Sequence, residues 1–318
     1  MKIAIHDAER EHLKNKTFPN YALMKISAYH KAQGDTVEWW NPLEMYDKVY
    51  SSKVFDFTLE NPMLPPDTIK GGTGYDIKSK LPPEIEQCMP DYSIYPECDH
   101  AIGFVTRGCP NHCRWCVVPE KEGNIKSYED CRILLGAFHK GRPLSESKKL
   151  GYKLVLMDNN ILACDYGIEQ LKLIASIHEI KLDINQGMDA RLITPEIADI
   201  LARINWIKYI RFSCDTKSQI EPVIRAAELL KARGIKPYKL FIYLLVSSDV
   251  MDAAIRVTAL KHIGSITIYA QPERNERLGI VPNQEQKYFA GRYVYRGIYR
   301  KETWSDYKAR HTEIWKEL

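Results

Sequence analysis

From residue 100 onward, short apolar runs alternate with stretches whose apolar positions recur every three or four residues. Such runs predict strands, and such stretches predict amphipathic helices. The predicted strands are residues 101–105, 153–157, 181–185, 209–212, 240–246 and 265–269. The predicted helices are residues 127–140, 166–179, 195–203, 221–233 and 250–262. This alternation predicts an α/β fold with parallel strands, in a partial barrel or an open sheet, with functional side chains at the carboxyl ends of the strands.

The first third of the chain predicts a smaller α/β layer. Residues 2–6, 36–40 and 49–57 are candidate strands, and residues 21–33 form a candidate helix that Gly34 ends. Residues 61–83 are rich in Pro, Gly and polar residues, which is typical of a loop or linker. We therefore divide the chain into a small α/β layer (1–98), a core of strand–helix repeats (99–272) and a C-terminal tail (273–318).

Charge changes at the same boundary. Residues 1–98 contain 11 Lys and Arg against 15 Asp and Glu, whereas residues 99–318 contain 34 against 26. An acidic first third joined to a basic remainder suggests two units with different roles. The 45% of hydrophobic and 27% of charged residues exclude a disordered or collagen-like chain. There is no apolar run long enough for a membrane span and no signal-peptide pattern, so a cytoplasmic location with reduced thiols is expected.

Three of the eight cysteines are concentrated just after the first predicted strand of the core. Cys109, Cys113 and Cys116 have the spacing C-x3-C-x2-C, and Gly108 and Pro110 favour a tightly turning loop. Three thiolates can hold three irons of a [4Fe–4S] cluster and leave the fourth iron open. A structural zinc site completed by His112 or Cys131 is the alternative for the same motif. The scattered Cys131, Cys164 and Cys214 are interpreted as buried free thiols.

The pattern C-x3-C-x-aromatic-C, placed after the first of six strand–helix units, resembles that of the radical S-adenosylmethionine (SAM) enzymes. The resemblance implies a partial, TIM-like (βα)6 barrel in which Cys109, Cys113 and Cys116 hold the cluster and Trp115 lies near the adenine. It further implies that the open iron binds the amino and carboxylate groups of SAM. Reductive cleavage, with electrons from a donor such as flavodoxin or ferredoxin, then yields a 5′-deoxyadenosyl radical that abstracts hydrogen from a substrate. RNA, peptide and small metabolite remain open as substrates.

Polar residues follow the other predicted strands of the core, and the resemblance makes them candidate SAM contacts. Asp158 stands where the family grips the SAM ammonium, although the Asp-Asn-Asn sequence here departs from the commonest form, and Arg191 is a candidate partner of the SAM carboxylate. Helix capping is the alternative role of Asp158 and Asp215. Strand five offers only Ser247 and Ser248. The full candidate set is Asp158, Asn159, Asn160, Gln186, Asp189, Arg191, Ser213, Asp215, Tyr269 and Gln271, and Tyr243 and Cys214 are candidates by position alone.

The N-terminal layer resembles an abbreviated version of the cobalamin-binding domain that some radical SAM branches carry. The usual Asp-x-His-x-x-Gly signature is absent, since neither His6 nor His30 has the required neighbours. We therefore expect no bound cobalamin. A cobalamin-dependent radical SAM methyltransferase and a zinc-stabilised nucleic-acid-binding module are the two alternative functions.

The tail interleaves basic and aromatic residues. Residues 287–310 contain seven Lys and Arg against Glu302 and Asp306. This composition suits single-stranded nucleic acid, because bases stack on aromatic rings and phosphates pair with cations. The alternative is a terminal helix that packs an aromatic face, formed by Tyr288, Tyr295 and Tyr299, over the core and leaves its basic face in water. We favour the packed helix.

Overall fold

The computed structural model describes residues 1–12 and 18–312. The N-terminal layer is a parallel four-stranded sheet with the strand order β2-β1-β3-β4. Its strands are β1 (Lys2–Asp7), β2 (Thr36–Trp39), β3 (Lys48–Ser52) and β4 (Ile69–Gly71). Its helices are α1 (Ala8–His12), α2 (Tyr21–Ala32) and α3 (Pro83–Glu86).

Two features of this layer differ from the sequence prediction. The strand predicted over residues 49–57 ends at Ser52, because the carboxylate of Glu9 accepts the backbone N–H groups of Val54 and Phe55 and draws them out of the ladder. Inside the segment predicted as a loop, β4 pairs with β3. This strand has only three residues and is held by backbone hydrogen bonds to β3. It is therefore too short to show an alternation of apolar and polar residues in the sequence.

The core contains two parallel sheets, with the strand orders β10-β9-β8-β5 and β11-β12-β13. A parallel bridge between Met188 and Phe212 joins them. A two-stranded antiparallel hairpin follows β5. The strands are β5 (Ala101–Gly103), β6 (Thr106–Arg107), β7 (Lys126–Ser127), β8 (Tyr152–Leu156), β9 (Ile180–Ile184), β10 (Asn205–Trp206), β11 (Ile210–Ser213), β12 (Leu240–Val246) and β13 (Thr267–Pro272). All six strands predicted for the core are confirmed, and they pair in parallel as predicted.

Helices separate the strands of the core as the apolar periodicity predicts. They are α4 (Val118–Lys121), α5 (Cys131–His139), α6 (Leu144–Leu150), α7 (Asp165–Ser176), α8 (Pro195–Arg203), α9 (Ile220–Ala232) and α10 (Val250–Leu260). The helix predicted from residue 127 begins only at Cys131. Ser127 pairs in the β6–β7 hairpin, and the side chain of Asp130 caps α5 by accepting the N–H of Arg132.

Burial alternates along the strands of the core. On β12, Leu240, Ile242, Leu244 and Val246 are buried, and the residues between them are partly exposed. This alternation separates an apolar face from a face that is open to solvent. One hydrophobic cluster runs from the N-terminal layer through the core, so the two packed units share buried contacts.

The tail packs beside the edge strand β13 and helix α10. It consists of α11 (Gln284–Tyr288), a π-helical segment (Phe289–Val294) and α12 (Trp304–Arg310). Tyr299 is buried as expected, but Tyr295 is 81% exposed, so the aromatic face that we predicted is wrong at this residue. The N–H of Tyr295 donates to Ala290 five residues back, and this wider turn changes which side chains face inward. The buried aromatic residues are Phe289, Tyr293, Tyr299, Trp304 and Tyr307.

Within the described ranges, no helix combines the length and the apolar character that crossing a membrane would require.

Candidate functional site

The three clustered cysteines lie in the loop between β6 and α4, beyond the carboxyl end of β5. Cys109 and Cys113 are half-buried, Cys116 is exposed, and all three are free thiols. Partial burial and then the neighbouring Cys109 thiol raise the pKa of Cys113, and the guanidinium of Arg191 acts in the opposite direction. The loop therefore brings unpaired thiols close to one another and to the guanidinium of Arg191, which follows β9.

Gly108 allows the loop to turn back on the β6–β7 hairpin. Its φ is +91°, a conformation that disfavours residues with a Cβ atom. A Cβ at this position would also overlap the backbone of Asn124 and Gly123. The next residue, Cys109, donates its N–H to the carbonyl of Gly123. The glycine immediately before the first cysteine is thus required by the backbone path.

Two asparagines after β8 hold the cysteine loop. The amide oxygen of Asn159 accepts the N–H of Gly108 at 3.0 Å, and the amide nitrogen of Asn160 donates to the sulfur of Cys109 at 3.6 Å. Asn160 is 4% exposed, and its buried amide oxygen has no hydrogen-bond partner. A buried, unpaired carbonyl-type acceptor is costly unless a donor completes it. Asn160 thus contacts the first cysteine and keeps one acceptor beside the loop.

Asp158 is buried, and its carboxylate is hydrogen-bonded to other residues of the protein. Its carboxylate accepts the N–H groups of Val105 and Thr106 and the hydroxyl of Thr106. Burial raises its pKa to about 7. These contacts tie the end of β8 to the start of the cysteine loop, so Asp158 acts as neither a helix cap nor an open acceptor.

A second group of contacts joins the loop to the segment after β9. Asn111, between the first two cysteines, donates its side-chain amide to Asp189 at 3.1 Å. Asp189 also accepts the Nε and Nη2 of Arg191 at 2.8 and 2.6 Å. Arg191 was a candidate for bidentate pairing with a ligand carboxylate, but here it makes that pair with Asp189.

Glu273 is a residue that the sequence prediction missed. It directly follows β13, donates its N–H to Val246 and carries a largely buried side chain 3.8 Å from Arg114 of the cysteine loop. Its position just after Gln271 and Pro272 was the available signal. With Glu273, the loop contacts residues that follow β8, β9 and β13.

For the remaining candidates outside the cysteine loop, the observed contacts are with other parts of the protein. Asp215 accepts the N–H of Leu245 at 2.9 Å, burial raises its pKa, and the adjacent Thr216 forms the capping box of the next helix. Ser213 faces Gly187, where a Cβ would overlap its hydroxyl. Gln186 is exposed and bonds to its neighbour Asn185. Trp115 is half-buried within the cysteine loop itself, and Tyr269 and Gln271 lie on the exposed side of β13.

The two candidates named by position alone are also engaged. The hydroxyl of Tyr243 donates to the carbonyl of Asn185 at 2.9 Å. Cys214 is buried, and burial raises its pKa to about 12. Cys131 is similarly buried, with a pKa raised to about 11. The interpretation of both as buried free thiols is confirmed, whereas Cys164 is half-buried at the start of α7.

A partly buried charged network lies on the other side of the loop. Arg107 pairs with Glu86 at 2.6 Å and with Glu122 at 2.8 Å. Lys25 of α2, 1% exposed, donates to the hydroxyl of Tyr128, which in turn donates to Glu86 at 2.5 Å. The network connects the N-terminal layer to the hairpin that carries the cysteines. The sequence prediction missed it, because its members are far apart in the chain.

The donor set suits a thiolate-bound metal group, but its present geometry is not closed around one ion. Across residues 1–12 and 18–312, no three His, Cys, Asp or Glu side chains are arranged to hold a metal ion. Three thiolates on a single tetrahedral zinc approach one another to about 3.8 Å, since each Zn–S bond is about 2.3 Å. In an iron–sulfur cluster each cysteine binds a different iron, so the sulfurs stay farther apart. The three free thiols lie in one irregular loop, and an iron–sulfur cluster is the thiolate-bound group that accepts the wider spacing.

No protein-family model matches this chain, and no curated protein matches it significantly.

Proposed function

We propose that this chain is a radical SAM enzyme with one [4Fe–4S] cluster on Cys109, Cys113 and Cys116. When bound, the cluster would supply an open iron for SAM and one electron to its sulfonium, whose C5′–S bond would then break to give methionine and a 5′-deoxyadenosyl radical. That electron comes from an external donor of the flavodoxin or ferredoxin type. The radical abstracts hydrogen from a substrate, and RNA, peptide and small metabolite are the three candidate classes.

The observation that carries the proposal is the position of the cysteine loop among the strand ends. Three free thiols lie beyond the first strand of the core, and the loop bonds directly to Asn159, Asn160 and Asp189 after the second and third strands. A structural metal knot needs only its own ligands, whereas a cofactor site recruits polar groups from several strand ends.

The strand order supports the finer architecture that this chemistry uses. The six predicted core strands are adjacent in their chain order, β5-β8-β9 and β11-β12-β13, the short β10 pairs beside β9, and the Met188–Phe212 bridge lies between the two groups. An array of six parallel strands in sequential order, covered by helices on one side, is the arrangement of a partial (βα)6 barrel. We therefore propose that the open face of this array forms the reaction chamber.

The chain's own residues have distinct roles in this proposal. Gly108 and Asn159 fix the start of the loop, and Asn160 donates a hydrogen bond to the sulfur of Cys109. The unpaired oxygen of Asn160 is an acceptor for an ammonium group beside the cluster. Arg191 binds a carboxylate once its pair with Asp189 opens. Asp158 holds the backbone of Val105 and Thr106 in place and contacts no ligand.

Anaerobic reconstitution with iron and sulfide tests the proposal. We expect about four irons and four sulfides per chain, and release of 5′-deoxyadenosine from SAM only when dithionite is added. Serine substitutions at Cys109, Cys113 and Cys116 should each abolish both signals. Cys88→Ser is the matched control, since Cys88 is a partly exposed free thiol outside the loop, and it should leave both signals unchanged.

The outcomes separate the parts of the proposal. A single zinc per chain without 5′-deoxyadenosine would overturn it and favour the zinc-stabilised module. A cluster that forms but never cleaves SAM would retain the metal site and overturn the reaction.

A further inference from the structure

The seven Lys and Arg of residues 287–310 fall into two groups that the sequence could not separate. Arg300 donates to the carbonyl of Ile266, Lys308 pairs with Glu285 and Arg310 pairs with Glu302. These three cations fasten the tail to itself and to the core. In the described part of the chain, the other four, namely Lys287, Arg292, Arg296 and Lys301, are exposed and have no ion-pair partner.

The π-helical segment and the residues on either side of it expose cations on one side. Phe289, Ala290, Tyr293 and Val294 are buried, whereas residues 287, 291, 292, 295 and 296 are exposed. Along a segment with bonds five residues apart, positions 287, 292 and 296 recur about once per turn, so they form one stripe. We call Lys287, Arg292, Tyr295 and Arg296 the tail stripe.

Tyr295 gives the tail stripe its second property. Its ring is 81% exposed and lies between Arg292 and Arg296 in sequence. An exposed aromatic ring has water on both faces and gains free energy when another planar group covers it. Of the six other aromatic side chains in residues 287–310, five are buried and Tyr288 is half-buried, whereas Tyr295 lies outside this packing.

Charge and exposure together select the partner. Residues 286–301 contain five Lys and Arg and no Asp or Glu, which makes the stripe complementary to a polyanion. Guanidinium groups pair with phosphates through two hydrogen bonds and also stack on planar groups. An acidic protein or a lipid headgroup would use the charge and leave the ring unused. A single strand of nucleic acid uses both, because its phosphates are accessible and its bases are unstacked.

We propose that the tail stripe binds single-stranded nucleic acid, with Lys287, Arg292 and Arg296 on phosphates and Tyr295 stacked on a base. This surface is separate from the cysteine loop and does not depend on the proposed function. It gives the chain a way to hold an RNA or DNA strand irrespective of the reaction performed elsewhere.

Fluorescence anisotropy with the full chain and a labelled single-stranded RNA of about 12 nucleotides tests the proposal. The triple variant Lys287→Gln, Arg292→Gln, Arg296→Gln should weaken binding and reduce the slope of log affinity against log salt by about 2. The matched control Lys148→Gln, Lys149→Gln, Arg203→Gln removes three exposed cations elsewhere and should retain the wild-type slope. Equal slopes for the two variants would overturn the proposal.

The stacking part has its own test. Tyr295→Ala should weaken binding roughly fivefold or more, and Tyr295→Phe, which keeps the ring, should bind like the wild type. Single-stranded DNA of the same sequence shows whether binding requires the 2′-hydroxyl of ribose, and the proposal includes both kinds of strand. If duplex RNA, polyglutamate or phosphatidylserine vesicles bind as tightly as the single strand and Tyr295→Ala changes nothing, the surface recognises charge alone and the proposal fails. Circular dichroism of each variant checks that it is folded.

Discussion

The carboxyl ends of the two parallel units of this molecule differ in how their polar groups are used. In the N-terminal layer, Nδ1 of His6 lies 2.8 Å from the hydroxyl of Ser51, which lies 2.9 Å from that of Tyr75. Asn20 donates to Ser52, and the hydroxyl of Tyr95 donates to Asp7. Even Nε2 of His6, which makes no hydrogen bond, lies 3.2 Å from Glu11. This edge is closed by its own side chains.

At the corresponding edge of the core, the thiols form no disulfide and some buried polar groups have no hydrogen-bond partner within the described residues. Its first loop carries three free thiols, and Asn160 beside them has a buried oxygen without a partner. Polar residues at strand ends therefore do not by themselves mark a site. What distinguishes the two edges is whether the polar groups satisfy one another or leave donors and acceptors available for something else.

The largest contrast is expected from Asp158, compared with Asp91 of the N-terminal layer. Burial raises the pKa of Asp158 to about 7, so the folded state holds this proton more tightly than the unfolded chain. Stability therefore falls as pH rises from about 4 to 7, by at most about 4 kcal/mol from this group. Asp158→Asn cannot titrate and should flatten that decline. Urea unfolding at several pH values measures it.

Asp91 should show the opposite sign. Burial opposes its charge, but hydrogen bonds from Lys31 and Ser27 outweigh burial and lower its pKa. Its stabilisation is present above the usual carboxyl pKa and is lost as pH falls through the lowered value. Asp91→Asn should therefore differ most from the wild type at neutral pH and least in acid. Parallel pH profiles for the two variants would contradict the distinction.

A smaller effect is expected from two glycines with similar constraints, one in each unit. Gly108 and Gly72 have φ values of +91° and +96°, and a Cβ at either would overlap backbone, at Asn124 and Lys53 respectively. Gly108→Ala and Gly72→Ala should each cost about 2 kcal/mol, because both combine a disfavoured φ with a steric overlap. Thermal unfolding measures this cost.

Iron binding separates the two variants. Gly108→Ala displaces the residue that precedes Cys109 and should lose most of the reconstituted iron, whereas Gly72→Ala should bind as much as the wild type. Equal iron content in both would show that the path of the loop does not control the site.

The limits of the sequence prediction follow from how far each signal reaches along the chain. Helix α8 has the predicted bounds because Thr194 caps it and Pro195 occupies its first position, both local signals. The cysteine motif is equally local. The partners of Asp158 at Val105 and Thr106 are more than fifty residues away, and those of Lys25 at Tyr128 twice as far. No local pattern encodes such contacts, so the sequence prediction named Asp158 as a candidate SAM contact without the backbone groups that its carboxylate accepts.

The pairing of Asp189 with Arg191 shows a different limit. Both residues were correctly placed after β9, near the cysteine loop. Residue type and position could not reveal that Asp189 and Arg191 form an ion pair with each other. Similarly, the turn geometry of the π-helical segment decided which tail aromatics are buried, and the heptad-like spacing of the sequence does not report that geometry.

The smallest effect is expected from Asn160, compared with Asn20. Asn160 donates to the sulfur of Cys109, and hydrogen bonds to sulfur ligands stabilise the reduced, more negative cluster. Asn160→Ala should therefore lower the reduction potential of the reconstituted protein. A hydrogen bond worth about 1 kcal/mol corresponds to about 40 mV for one electron. A spectroscopic redox titration resolves a shift of this size.

Asn20→Ala is the control because it removes the same amide from the closed edge. Asn20 caps α2 and donates to Ser52, so its loss should cost about 1 kcal/mol of stability. It should leave the potential unchanged, since no described residue at that edge forms a hydrogen bond or ion pair with the cysteines. A potential that moves equally in both variants would mean that general loosening of the fold, rather than the bond to Cys109, sets it. A shift confined to Asn160→Ala would link the open edge of the core directly to the electronic properties of its loop.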